Sequence, residues 1–265
     1  MKRFHLVELH GLRWSPRVFR DLLTDVMSCF AEGFRPYNPV AGRLWAAMQA
    51  SGARSILDLC SGAGRSVLTV VKEFATVHGV EVDVVLTDKY PNLAAFRQAV
   101  RESPGRVAAF EAPVEAGRVP DHRDGFRTLF TSFHHFEEDA ARRILADAVC
   151  QRRRGIGVFE YTERNFLIWG PAIVAMPFFV WLATPFIRPF SWRRVLWTNL
   201  VPVVPLLAAW DALVSCLRTY SPAELLTLTP DPAPASYAWE AGRIRSIGAC
   251  RVTYLLGWPT AQTVL

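Results

Sequence analysis

The stretch SILDLCSGAGRSV (residues 55–67) is a short apolar run that stops at an aspartate, passes through small residues with two glycines and resumes with helical spacing. Stripping side chains from a strand-to-helix turn lets another group approach the backbone closely. An ordinary turn, a phosphate loop and a dinucleotide fingerprint compete as readings. A phosphate loop requires Lys-Ser/Thr after the last glycine, and Arg65-Ser66 stands there instead. A dinucleotide fingerprint requires a third glycine three residues after Gly64, where Val67 stands. A ligand with a nucleoside but no phosphates fits better. Gly62 and Gly64 would admit its amino-acid part, Asp58 at the strand end would hold an ammonium, and Asp88, closing the next strand, would accept both ribose hydroxyls.

Working outward, strands are expected at residues 55–59, 82–87, 106–110, 127–132 and 156–161, and helices at 65–75, 91–102 and 137–150. The helix at 91–102 opens with Pro91, a common first helical residue. Such alternation implies βαβ units and a parallel sheet covered on both faces. Residues 1–50 read as a helical cap, with Val18, Leu22, Val26 and Phe30 at helical spacing, a break at GFRPYNP (33–39) and a second helix at 40–50. Two strand-like stretches, 237–245 and 250–258, are close enough to pair.

The 265 residues are 51% hydrophobic and 20% charged, enough apolar material for a substantial core and too much for disorder. The net charge of +6 fits an anionic partner such as a membrane surface, nucleic acid or phosphorylated substrate. The five cysteines (29, 60, 150, 216 and 250) are scattered and odd in number, which supports neither a disulfide framework nor a zinc site and points to a reducing compartment. The first residues carry no apolar signal segment, so a cytoplasmic location is expected.

This order of parts resembles class I S-adenosylmethionine-dependent methyltransferases over residues 54–161 and 237–258, and more narrowly a bacterial subgroup with an apolar insertion between the fifth and sixth strands. The resemblance implies an α/β fold: a Rossmann-like doubly wound sheet of seven strands, the last antiparallel, with S-adenosylmethionine as cofactor. It implies cofactor contacts for Asp58, Cys60, Ser61, Gly62, Gly64, Asp88 and Lys89, although the family often carries an extra glycine where Cys60 and Ser61 stand. VEAGRVP (114–120) would place Glu115 and Ala116 beside the adenine. TSFHHF (131–136), with Ser132 and Phe133, matches the end of the fourth strand, where the methyl-bearing side of the cofactor meets the substrate.

Methyl transfer from a sulfonium is an in-line displacement that needs alignment and exclusion of water, with a general base only where the nucleophile arrives protonated. His134 and His135 titrate near neutrality and are the candidate bases; otherwise they pack or cap the helix that follows. Tyr161, a further catalytic candidate, and Glu160 end the fifth strand at the same sheet edge, where they either face substrate or hold the insertion. No metal is expected, since neither a Cys/His ligand spacing nor an acidic magnesium cluster is evident.

Residues 166–220 form an apolar insertion in a catalytic domain made of 51–165 and 221–265. Its first stretch, 166–187, has no charge and about 22 residues, roughly 33 Å as a helix. Prolines 171, 177, 185, 202 and 205 are expected to break it, and Arg188, Arg193 and Arg194 at its tip argue against a spanning hairpin. A hairpin lying in the membrane surface, a lid packed on the N-terminal helices and a dimer interface remain as readings. Asp211 and Arg218, two helical turns apart, share a face and either pair with the protein or meet a polar head of the substrate. Trp14 and Tyr37 are expected at the pocket. The expectation is therefore a methyltransferase acting at oxygen or nitrogen of a lipophilic small molecule or lipid-like acceptor, cytoplasmic or peripheral on the inner membrane face. The alternative is a non-catalytic protein that binds S-adenosylmethionine or S-adenosylhomocysteine. Nothing resembles a nucleic-acid methyltransferase motif, and oligomeric state is left open.

Overall fold

Successive residues of the first strand go to opposite faces of one sheet, as the period of two requires: Ile56 joins one buried cluster and Leu57 the other. The structure, a computed structural model, describes residues 2–9, 12, 17–120, 124–150, 155–187, 190–231 and 237–260. Its seven strands are β1 (Ser55–Asp58), β2 (Asp83–Leu86), β3 (Val107–Ala109), β4 (Phe126–Phe130), β5 (Ile156–Glu160), β6 (Tyr237–Arg245) and β7 (Arg251–Pro259). They stand in the order β3-β2-β1-β4-β5-β7-β6. The first five are parallel, and β7 runs antiparallel between β5 and β6. Every residue of β4 and β5 is buried, as expected of central strands covered on both faces.

One face carries α2 (Ala41–Ser51), α3 (Arg65–His78) and α4 (Leu93–Glu102), which bury Leu44, Met48, Phe74 and Phe96. The other carries α5 (Glu138–Cys150) and α9 (Pro222–Thr227), with Ile144, Leu145 and Leu225. Most element ends shift by one to three residues from the sequence reading, and two differences go further in their cause. Helix α4 starts at Leu93 because Asn92 is its cap, accepting the Ala95 N–H at 3.2 Å, and Pro91 stays outside. The N-terminal region is not helical throughout: residues 2–8 are irregular and α1 spans Arg17–Phe34.

The apolar insertion folds as α6 (Phe166–Ala183), a short α7 (Trp192–Val195), a π-helical turn Leu196–Leu200, and α8 (Val203–Arg218), the last two bent by 74°. Helix α6 runs unbroken through Pro171 and Pro177, contrary to expectation. Proline removes one backbone hydrogen bond, which packing along α8 outweighs here. The break falls instead at Pro202, immediately before α8. Leu22, Leu23 and Val26 of α1 pack on Val180, Ile187 and Val204, so one side of the insertion rests on the N-terminal helix. Arg194, at the tip, is buried there, ion-paired to Asp25 and donating to the Ile187 carbonyl at 3.0 Å. The tip is thus tied to the domain, while Arg188 lies outside the described residues. The opposite side of α6 is bare, with Leu167 92% and Val174 71% exposed.

Candidate active site

The turn after β1 has the geometry that small residues permit. Gly64 caps α3 in the left-handed region (φ 75°), and a Cβ there would sit 2.7 Å from Leu86 Cδ1, so the loop lies flat on β2. Gly62 is also left-handed (φ 56°), yet a Cβ would meet nothing within 4 Å: the space beside it is open. Cys60, where the related loops often carry glycine, takes the same conformation at φ 55°. Burial, with Asp88 and Asp58 nearby, pushes its thiol well above the usual range, so it is no nucleophile.

Asp88 stands at the lip of this opening. Its carboxylate accepts the Gly62 N–H at 2.9 Å and the Tyr90 N–H at 2.8 Å. A carboxylate has about four acceptor positions, so two remain for a diol. Asp58 is buried at the loop floor and takes the Thr128 hydroxyl at 2.6 Å. Burial pushes its carboxyl up to about 7, against the opposing pull of Thr128 and Ser61 hydrogen bonds, and a cation placed beside it would restore the ionised form. Ser61 ties the loop to both strands, its N–H to the Thr87 carbonyl at 2.9 Å and its hydroxyl to the Asp58 carbonyl at 3.0 Å. The Val114 N–H bonds the Asp88 carbonyl at 2.9 Å, bringing the next segment alongside; Lys89 and Glu115 pair at 2.7 Å on its exposed rim, with Ala116 buried beneath. These residues lie together as a cradle whose features fit S-adenosylmethionine: open space beside Gly62, an acceptor pair at Asp88 and a buried acid at Asp58.

The end of β4 is strained. Thr131, β-branched, has φ 45° and bonds through its hydroxyl to Tyr37. Tyr37 is sealed against Phe130 and Tyr161, with ring centroids 5.0 and 6.3 Å away, and so braces this turn from behind. Tyr161 sits in an aromatic box with Phe30 (5.5 Å) and Trp169 (5.2 Å). Burial and the neighbouring Cys250 hold its phenol well above the ordinary value. Trp14 lies outside the described residues.

Past buried Ser132, the turn Phe133–His135 directs its side chains differently from the sequence expectation. Phe133 points into the core against Tyr220 (5.8 Å) and Phe136 (6.2 Å), fully buried in the cluster that includes α5, and not toward a substrate as expected. His134 is 1% exposed. Its Nδ1 lies 2.7 Å from Glu160 Oε2, while Glu160 Oε1 accepts the N–H groups of Phe133 (2.7 Å) and His134 (3.1 Å). On the other side stands Glu8, a residue no local pattern singles out: Oε1 is 3.2 Å from His134 Nε2, and Oε2 contacts His135 Nδ1. Burial opposes the His134 imidazolium, but Glu160 and Glu8 outweigh it and raise the group to about 9. Burial likewise opposes the Glu8 carboxylate, and the two histidines hold it well below the usual range.

Of the two readings for Asp211 and Arg218, pairing with the protein is what the contacts give: both bond the N-terminal segment, and Arg218 also bonds the histidine turn. Asp211 accepts the Leu9 N–H at 2.8 Å. Arg218 donates to the carbonyls of His134 (3.1 Å), His135 (2.6 Å) and Leu6 (3.0 Å), a fork of donors that matches several carbonyls at once. Arg3 adds bonds to the Arg218 and Phe136 carbonyls at 2.6 and 2.9 Å. Residues 3–9 are thereby strapped over His134.

No family model and no curated protein sequence matches the chain. Solved structures do. An O-methyltransferase family protein from Burkholderia thailandensis superposes with a TM-score of 0.52 at 16% identity, over 92% of this chain and 60% of its own. An O-methyltransferase from neocarzinostatin biosynthesis, solved with S-adenosylmethionine and 2-hydroxy-5-methyl naphthoic acid, gives 0.50 at 14%, over 88% and 55%. Human N-acetylserotonin methyltransferase in complex with S-adenosylmethionine gives 0.50 at 12%, over 92% and 57%. The chain spans less than two thirds of each of these longer proteins. At these identities what is shared is the fold: the chain has the Rossmann-like fold of S-adenosylmethionine-dependent O-methyltransferases.

Proposed function

We propose that the protein is an S-adenosylmethionine-dependent methyltransferase acting on an ionisable hydroxyl of a lipophilic acceptor at a membrane surface. The observation that carries the cofactor reading is the opening beside Gly62 with Asp88 at its lip. When bound, S-adenosylmethionine supplies an electrophilic methyl group for in-line displacement. Asp88 would hold the ribose diol, Asp58 the ammonium, and Glu115 and Ala116 would border the adenine. His134, oriented by Glu160, stands at the carboxyl edge of β4 and β5, where acceptors collect in open α/β sheets, and with Glu8 and His135 it forms the group that manages the acceptor's proton.

The bare face of the insertion supports the lipophilic and membrane parts of this reading. Only 11% of the apolar span 166–186 is buried, and Trp192, 76% exposed, packs edge-on with Phe190 at 5.2 Å beside exposed Arg193. Aromatic and basic side chains flanking an apolar face suit the headgroup region of an anionic bilayer, and the net charge of +6 has the matching sign. The tie of Arg194 to Asp25 of α1 supports an insertion that lies along the surface over one that crosses it. The hydroxynaphthoic acid bound by one structural neighbour is an acceptor-sized molecule of the kind proposed.

A second reading, a cofactor-binding protein without turnover, is favoured by the sealing of His134 under Glu8. One experiment separates them: calorimetric titration with S-adenosylmethionine, then transfer of a labelled methyl group to total lipid extract in the presence of anionic vesicles. Micromolar binding with label in the lipid fraction is expected. Binding without label on any extract would select the second reading, and no binding would remove both.

A further inference from the structure

The contact between Glu8 and the two histidines has a chemical oddity. Glu160 Oε1 accepts the N–H groups of Phe133 and His134, and its Oε2 faces His134 Nδ1 at 2.7 Å. With Nδ1 directed at Glu160, Nε2 is the ring nitrogen left for another partner. It is buried, makes no hydrogen bond, and faces Glu8 Oε1 at 3.2 Å. His135 Nδ1 faces the other oxygen of the same carboxylate. The three donor atoms lie within 4.8 Å of one another. Lone pairs gathered this way need positive charge among them, supplied either by protons or by one metal ion.

The donor set and its surroundings favour the ion. Two imidazoles and a carboxylate are the ligands of borderline divalent transition metals, with further positions left open. Bonds of about 2.0 Å at tetrahedral angles put ligand atoms about 3.3 Å apart, close to the 3.2 Å found between His134 and Glu8. A ligating histidine commonly turns its distal ring nitrogen to a carboxylate, and His134 Nδ1 faces Glu160 in this way. The Ser215 hydroxyl donates to Glu8 Oε1 at 2.9 Å and orients it further. Arg218 lies 3.7 Å from Glu8 Oε2 and opposes a cation there, but its bonds to the carbonyls of His134 and His135 also fix the turn that presents them. His135 is 34% exposed, which gives an ion and an oxygen ligand a way in past otherwise sealed groups.

We infer that Glu8, His134 and His135 bind one divalent transition-metal ion of the zinc class, with an open position toward the exposed side of His135. The inference deepens the transferase reading, since an oxygen bound at that position would be ionised by the metal. It can nevertheless be tested without acceptor or cofactor.

Chelator-treated full-length protein would be titrated with cobalt(II), followed by visible absorption, and with zinc by calorimetry. The expected result is one equivalent bound, with tetrahedral-type cobalt bands that zinc displaces. Glu8→Gln and His135→Gln should each weaken zinc binding by about 100-fold, and Glu160→Gln by about 10- to 100-fold. His78→Gln, on the far helix α3, should leave it unchanged. Circular dichroism checks that each variant folds, and the half-exposed His135 keeps the test open if Glu8→Gln does not. Absence of cobalt bands and of zinc binding tighter than millimolar would overturn the inference and leave protons between these groups. Full binding by His135→Gln would move the metal elsewhere and overturn it equally. S-adenosylmethionine titrations on the same samples score the cofactor reading separately.

Discussion

Two stretches of the sheet's carboxyl edge present functional groups, and they are assembled in opposite ways. At β1–β2 the cradle is made by one loop and the acid that follows the next strand. Its contacts, Gly62 to Asp88 and Ser61 to Thr87, join residues of neighbouring βαβ units. At β4–β5 the cluster draws Glu8 from one end of the chain, His134 and Glu160 from two strand ends, and Ser215 and Arg218 from the insertion. The first is a property of a supersecondary unit, and the second exists only when distant segments dock. The comparison teaches where damage should stay local and where it should spread.

The sharpest test of the cradle is Asp88→Ala. Loss of a charged acceptor for two hydroxyls removes about 3 kcal/mol, or about 100-fold in S-adenosylmethionine affinity by calorimetry, with little change in melting temperature. Undiminished binding would break the assignment of this edge. Next in size is Gly64→Ala, in which a Cβ would press on Leu86 from a left-handed backbone. It should destabilise the fold by about 2 kcal/mol in a denaturant titration. Gly62→Ala carries only the backbone cost, about 1 kcal/mol, but intrudes on the open space and should weaken cofactor binding more than folding.

A smaller, graded effect follows from Asp58. Its carboxyl, pushed up to about 7 in the free protein, must be ionised to hold an ammonium. The free folded state therefore holds its proton more tightly than the unfolded chain, and this site loses stability as pH rises toward 7. Cofactor affinity runs the other way: it should strengthen up to about pH 7 and fall by about tenfold for each unit below. Calorimetry in buffers of different ionisation enthalpy would also detect the released proton; a flat profile would place the ammonium elsewhere. Smallest in stability is the pair Phe178→Glu, on the bare face of α6, and Phe186→Glu, in the turn that follows it. Each should change stability by no more than about 0.5 kcal/mol while abolishing flotation with anionic vesicles. Retained flotation would turn the face toward a lid or dimer reading.

What is legible in the sequence is what periodicity and local geometry encode. The strand–glycine–helix unit, the acid at the end of β2, the closing hairpin and the apolar insertion can all be read because each depends on residues a few positions apart. Cys60 shows the limit even there: only the backbone reveals that a residue with a Cβ holds the left-handed position. The side-chain destinations are another matter. Phe133 is one residue from His134 and faces the core, because turn geometry and not residue type decides which of the two is buried against Tyr220. Asp211 and Arg218 share a helical face as expected, but their partners are the backbone of residues 6–9 and of the histidine turn, which no spacing along the helix announces. Glu8 sits between Val7 and Leu9 in a segment without periodicity and gains its meaning only where α8 and the Phe133–His135 turn meet. The sequence by itself therefore determined the sheet, the helices that cover it and the position of the cradle, since hydrophobic patterning and turn chemistry act over short range. Tertiary structure alone decided which charges meet at His134, because long-range docking sets the burial and the pairing that give those charges their effect.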